Sequence, residues 1–140
     1  MIKFHSIGQV EHAYPFEDAF IVKETLNGTF GTVANTKFEA AANASKAIMQ
    51  IENGDDAGMP EYKIPQYARV RVLDLEKLAG QVVEVYDYPL PAFCSTGDKL
   101  VSDAEGKLVV DNGATGLHLE VTKIIGQYQG VEAKVIAASA

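Results

Sequence analysis

Short runs of alternating apolar and polar residues, separated by turn residues, occupy most of this 140-residue chain. Clear examples are RVRVLDL (69–75), QVVEVYDY (81–88), LHLEVTKII (117–125) and VEAKVIA (131–137). A period of two is typical of strands that bury one face. In the last two runs the residues expected to share a buried face are Leu117, Leu119, Val121, Val131, Ala133 and Val135. The pattern predicts a mainly β protein.

The expected architecture is a small β-barrel or β-sandwich of about seven to nine strands with one short helix. We predict a β-rich domain over residues 19–140, preceded by an extended N-terminal arm over residues 1–18. The arm carries Phe4, His5, Ile7, His12, Tyr14 and Phe16 without clear periodicity. Such a segment is either a first strand of the domain or an arm that packs on something else.

Two turn motifs predict hairpins. Asn27-Gly28 lies between AFIVKET (19–25) and TFGTVA (29–34), and Asn-Gly favours a type I′ turn, which needs positive φ at both central residues. The stretch KLVSDAEGKLVVD (99–111) repeats its own pattern around Ala104-Glu105-Gly106, with Gly106 placed for a left-handed residue. Asp98, which follows Gly97, is expected to bind local backbone amides.

One segment departs from the alternating pattern. TKFEAAANASKAIMQI (36–51) opens with Thr36 and Glu39 at capping-box spacing and is rich in alanine. These features predict a short helix over about 36–46. A strand through Ile48, Met49 and Ile51, ending at Asn53-Gly54, is the alternative.

Composition excludes several classes of function. The net charge of −7 and the presence of only two arginines, Arg69 and Arg71, argue against a nucleic-acid partner. The chain contains no run of about 18 apolar residues, so no membrane span is predicted. The N-terminus lacks the apolar region of a signal peptide. The single cysteine, Cys94, cannot form an intrachain disulfide, which fits a reducing compartment.

The residues that could carry chemistry lack the spacing that chemistry needs. Asp98, Asp103, Glu105 and Asp111 do not follow a calcium-loop pattern, and His5, His12 and His118 form no zinc motif. Cys94 lacks a catalytic signature and is expected to be a small buried apolar residue. Asp55 and Asp56 are expected to point apart into water. We predict no catalytic residue, no metal site and no cofactor.

Six tyrosines suit either protein contact or scattered core positions.

The order of motifs resembles the decoration, or cement, proteins of tailed-bacteriophage capsids. LNGTFGTV is followed by RVRVLDL, then by GDKLVSDAEGKLVV, and the chain closes with HLEVTKIIGQYQGVEAKVIA. In that group a turn-and-strand opening and a GD-x-L…GKL hairpin precede an alternating final strand. The similarity covers most of residues 19–137. It implies a non-enzymatic virion protein, made in the host cytoplasm, that binds the capsid exterior and stabilises the shell.

The resemblance also implies partners and residues. The partners would be the major capsid protein and neighbouring decoration subunits, with a homo-oligomer as one possible form. Structural turn positions carried over are Asn27, Gly28, Gly97, Asp98 and Gly106. Contact with the capsid or a subunit is assigned to Phe4, His5, Ile7, Tyr14 and Phe16. The alternative function is a small β-barrel binding module, or a lipoyl- or biotinyl-like carrier with Lys107 near its hairpin tip.

Overall fold

The computed structural model describes residues 2–4, 16–49, 63–86, 88–128 and 130–137. Short strands dominate these residues, and the helical part is one 3₁₀ turn, η1 (Leu75–Leu78). The strands are β1 (Ile2–Phe4), β2 (Phe16–Ile21), β3 (Thr25–Leu26), β4 (Phe30–Ala34), β5 (Lys37–Ala40), β6 (Lys46–Ile48), β7 (Lys63–Ile64), β8 (Arg69–Asp74), β9 (Val82–Tyr86), β10 (Lys99–Ser102), β11 (Leu108–Val110), β12 (His118–Ile125) and β13 (Gly130–Ile136). The prediction of a mainly β protein with a β-barrel is confirmed.

The barrel is formed by five strands in the closed order β2-β5-β4-β6-β8. β2 runs parallel to β5, and the other pairs are antiparallel. Its interior is filled by a separate apolar cluster, which includes Ile21, Phe38, Ile48, Ile64, Val70 and Val72. The barrel therefore has a core of its own.

The second layer is a six-stranded antiparallel sheet in the order β1-β9-β13-β12-β10-β11. Its two longest strands, β12 and β13, pair along their full lengths with one irregularity between Val121 and Lys123. The predicted final hairpin and its inward face are confirmed, because Leu119, Val121 and Val135 are buried in one core cluster. β3 and β7 form a small separate sheet.

One large apolar cluster joins the barrel to the sheet. On the barrel side, Phe30, Ala47 and Leu73 are consecutive cross-strand partners, so their side chains lie on one face. All three belong to the same cluster as Val83, Val131 and other buried residues of the sheet. The interior residues next to them, such as Ile48 and Val72, point the other way, into the barrel. The two layers thus share a core.

The predicted hairpin at 99–111 exists, and its tip docks on the barrel. β10 and β11 pair from Leu100↔Val110 to Ser102↔Leu108. Gly106 has φ 82 and accepts a hydrogen bond from the backbone N–H of Phe30 at 2.9 Å. Ser102 Oγ donates to the carbonyl oxygen of Ala41 and accepts from the N–H of Ala44, each at 2.8 Å. The hairpin therefore links sheet to barrel through polar contacts as well as through the core.

The helix predicted over 36–46 is wrong. Residues 37–40 form β5 and residues 46–48 form β6. Asn35 and Thr36 have φ values of 53° and 62°, and Ala34 pairs with Lys37, so this pair forms the two-residue turn of the β4–β5 hairpin. Thr36 begins no helix because it is the second residue of that turn. The alternation of Lys37, Phe38 and Glu39 places Phe38 in the barrel core, which overrides the helical propensity of the alanines.

The hairpin predicted at Asn27-Gly28 is also wrong, although the turn itself exists. The N–H of Thr29 donates to Leu26 O at 3.2 Å, and Gly28 has φ 95. Asn27 is not among the positive-φ residues, so the turn fits type II instead of type I′. The flanking strands do not pair with each other: β3 pairs with β7, and β4 pairs with β5 and β6.

The structure describes only the two ends of the segment predicted as an arm, residues 1–18. Ile2–Phe4 forms β1, which pairs with β9 from Ile2↔Val85 to Phe4↔Val83, and Ile2 is buried. Phe16 begins β2, so the boundary predicted at residue 19 falls inside a barrel strand. At both ends the chain lies in a sheet instead of extending as an arm. Residues 5–15 lie outside the described residues. No helix among the described residues is long and apolar enough to cross a membrane.

Candidate interaction surface

Two acidic residues around the 99–111 hairpin, Asp98 and Asp103, accept hydrogen bonds within its turns. Asp98 Oδ2 accepts from the N–H of Ser95 at 2.9 Å, and its Oδ1 accepts from Asn112 Nδ2 at 3.2 Å. Asp103 Oδ1 accepts from the backbone N–H groups of Glu105 and Lys107 at 2.9 and 3.1 Å. The predicted role of Asp98, which follows Gly97 at φ 95, is confirmed. These carboxylates stabilise loops by satisfying backbone donors.

Lys107, the lysine of the carrier alternative, follows the residue at which the hairpin meets the barrel. Here the residue before Lys107 is buried, and a Cβ built on Gly106 would lie 2.4 Å from both Phe30 O and Thr29 Cγ2. Gly106 thus lies against the barrel while the Lys107 side chain is exposed, and the carrier alternative stays a prediction.

Cys94 lies in a buried position with Tyr128 beside it. The Tyr128 hydroxyl donates to the carbonyl oxygen of Pro91 at 2.7 Å and lies 3.4 Å from Cys94 Sγ. Burial raises the pKa of the Cys94 thiol, so the neutral form is favoured. Because the thiolate is the nucleophile, this environment suits a packing residue. Cys94 is buried in the shared core, as its assignment to a small apolar residue predicts.

The ligand-type residues do not converge within the described parts of the chain. His118 is buried, and its Nδ1 lies 2.8 Å from the carbonyl oxygen of Gly116. The described ranges contain no group of three or more His, Cys, Asp or Glu residues placed to hold a metal ion. His5, His12, Asp55 and Asp56 lie outside those ranges.

Phe16 is the one sequence-assigned contact residue whose side chain the structure describes. It packs against the shared core, and the guanidinium of Arg71 lies 4.9 Å from the centroid of its ring. Phe4 is described only as a member of β1. His5, Ile7 and Tyr14 lie outside the described residues. Phe16 is thus half-buried within its own chain, held by the barrel and the sheet.

Sequence reasoning missed an exposed aromatic side chain on the barrel. Ala19 and Ile21 point into the barrel, so Phe20 between them points outward and is 48% exposed. Phe20 pairs with Arg69 on one side and with Lys37 on the other. The alternation in AFIVKET was the signal, since it places Phe20 opposite two core residues.

Tyr67 and the two arginines extend this outward surface. Tyr67 is 74% exposed, and its N–H donates to Ile21 O at 2.9 Å, next to Phe20 in the chain. Arg69 donates from Nη2 to Asp18 Oδ2 at 2.5 Å, and Arg71 pairs in register with Asp18. We name the surface of Phe20, Lys37, Tyr67, Arg69 and Arg71 the aromatic–arginine face.

A second exposed ring lies far from this face in the chain. Phe93 is 72% exposed and packs against Tyr128, with ring centroids 5.7 Å apart. No charged residue occurs in the surrounding stretch, residues 91–97. Among the described tyrosines Tyr67 is exposed, whereas Tyr86, Tyr88 and Tyr128 are half-buried. A role in protein contact therefore fits Tyr67, whereas a packing role fits the other three tyrosines.

In comparisons with known proteins, no protein-family model matches this chain, and no curated protein sequence matches it.

Proposed function

We propose that this chain is a non-enzymatic structural protein of a virion, which binds the outer surface of a bacteriophage capsid and stabilises the shell. The observation that carries the proposal is the exposure of Phe20 and Tyr67 next to two arginines, while most other large apolar side chains of the described residues build two packed cores. Aromatic residues are enriched in protein interfaces, because each ring buries a large area on binding at a small cost in side-chain entropy.

The motif order that resembles decoration proteins supports the same function. Its GD-x-L…GKL part corresponds to the β10–β11 hairpin, which connects the sheet to the barrel. A hairpin in this position holds the two layers of the chain together. The proposed partners are the major capsid protein and neighbouring copies of this chain, on the capsid exterior.

The closed barrel favours one alternative, a small binding module that acts outside a virion. Small barrels offer a curved outer surface on which ligands bind. This alternative predicts affinity for a free ligand and none for an assembled shell, so shell binding separates the two functions.

A heat-disruption assay tests the stabilising role. Empty expanded capsids of the phage whose genome encodes the chain are heated with and without saturating protein, and the release of shell subunits is followed by light scattering. We expect disruption to move to higher temperature when the protein is present, because a ligand that binds only the intact shell stabilises it. An unchanged disruption temperature at saturation would contradict shell stabilisation.

A further inference from the structure

The aromatic–arginine face differs in charge from the rest of the molecule. The chain carries a net charge of −7, with 12 basic and 19 acidic residues, yet both of its arginines lie in neighbouring outward positions of β8. Lys37 adds a third cation on the strand paired with the other side of β2. Two acidic residues on the same outward side, Asp18 and Glu39, compensate part of this charge, and Asp18 forms an ion pair with Arg69.

The face combines the residue types that carry binding energy in protein interfaces. Tyr, Phe and Arg are enriched there, and Lys and acids are depleted. Phe20 is the apolar centre, since Arg69 and Lys37 are its direct cross-strand neighbours. Tyr67 lies at the rim of the face, where its backbone N–H donates a hydrogen bond to the carbonyl oxygen of Ile21.

We propose that the aromatic–arginine face is the surface that docks on the shell, against a protein surface whose carboxylates surround an apolar depression that receives Phe20. The inference rests on the proposed function and assigns its binding site. Charge complementarity supports the acidic partner, because Lys37, Arg69 and Arg71 outnumber the acidic residues beside them and attract carboxylates. Phe93 is a weaker candidate because no cation accompanies it in residues 91–97.

The test is co-sedimentation of substituted proteins with empty expanded capsids. The double variant Phe20→Ser, Tyr67→Asn removes both rings, and asparagine tolerates the positive φ of Tyr67, which is 69°. The matched control is Phe93→Ser, which removes a ring of comparable exposure (72%) elsewhere. Urea unfolding of each variant checks that it folds, and its midpoint should stay close to that of the original protein because the rings removed are exposed.

We expect the double variant to lose at least 100-fold in affinity for the shell and Phe93→Ser to lose less than threefold. Lys37→Glu tests the charge of the face and should weaken binding to the shell severalfold. The loss in affinity should become smaller as the salt concentration is raised. Arg71 is left unchanged because its guanidinium contacts Phe16. Equal binding by the original protein and the double variant overturns the inference and leaves the proposed function standing.

Two other outcomes identify different failures. Absence of shell binding by the original protein overturns the proposed function and the inference with it. Concentration-dependent self-association of the free protein that disappears in the double variant, without any change in shell binding, assigns the face to a second copy of this chain and overturns the shell as its occupant.

Discussion

Gly106 is a residue at which the tip of the hairpin meets the barrel without room for a side chain. It has φ 82, and a Cβ there would lie 2.4 Å from Phe30 O and from Thr29 Cγ2. We predict that Gly106→Ala lowers the free energy of unfolding by about 3 kcal/mol, since the left-handed backbone and the clash both oppose a side chain.

Gly97→Ala is the matched control for that prediction. Gly97 has a similar φ of 95°, but a Cβ there would meet nothing within 4 Å. It should lose only about 1 kcal/mol, the backbone part of the effect. Urea unfolding measures both variants, and equal losses would show that the hairpin tip does not press on the barrel.

Ser102 supplies the second polar link at the hairpin tip. It is buried, donates to Ala41 O and accepts from the N–H of Ala44, which is buried too. Ser102→Ala leaves that donor without its partner, so we predict a loss of about 2 kcal/mol in the free energy of unfolding. The control, Thr122→Ala, removes an exposed hydroxyl that donates to Glu132 O, and it should change stability by less than about 0.5 kcal/mol. A loss at Ser102 no larger than that at Thr122 would contradict the assignment.

At the scale of elements, hairpins whose strands alternate clearly could be predicted from the sequence. The pairs around Gly106 and at the end of the chain were right because alternation and turn residues agree there. The segment 36–46 was wrong because alanine content and a capping-box spacing were weighed above a four-residue alternation. Asn27-Gly28 failed because a local turn does not determine which strands pair; barrel closure, through contacts distant in sequence, decides that.

The Asn35-Thr36 turn yields a prediction at this scale. Thr36 has φ 62, which is strained for a β-branched residue, and glycine is the preferred residue at that place in such turns. We predict that Thr36→Gly raises the free energy of unfolding by about 1 kcal/mol, because relief of strain exceeds the entropic cost of glycine. Thr32→Gly, at an exposed position inside β4, should instead lower it by about 1 kcal/mol. Destabilisation by both changes in chemical denaturation would rule out strain at the turn.

At the scale of the whole molecule, the barrel and the six-stranded sheet share one core while the outer side of the barrel keeps Phe20 exposed. The sequence predicts a small β-barrel or β-sandwich without a catalytic, metal or cofactor site, but it does not locate the aromatic–arginine face. The face depends on which strand lies beside β2: Arg69 and Lys37 come next to Phe20 only through the β2–β8 and β2–β5 pairings. Those pairings join residues that are distant along the chain, and no local pattern encodes them.

Co-sedimentation of the purified protein with empty capsids tests our proposal that this chain binds an assembled shell, and the capsids are those of the phage to which the proposal assigns it. Expanded and unexpanded shells are titrated separately, and bound protein is counted per shell. We expect saturable binding at a fixed number of copies set by the symmetry of the shell. Absence of binding to both forms, with the protein folded, would contradict it and favour a binding module that acts outside a virion.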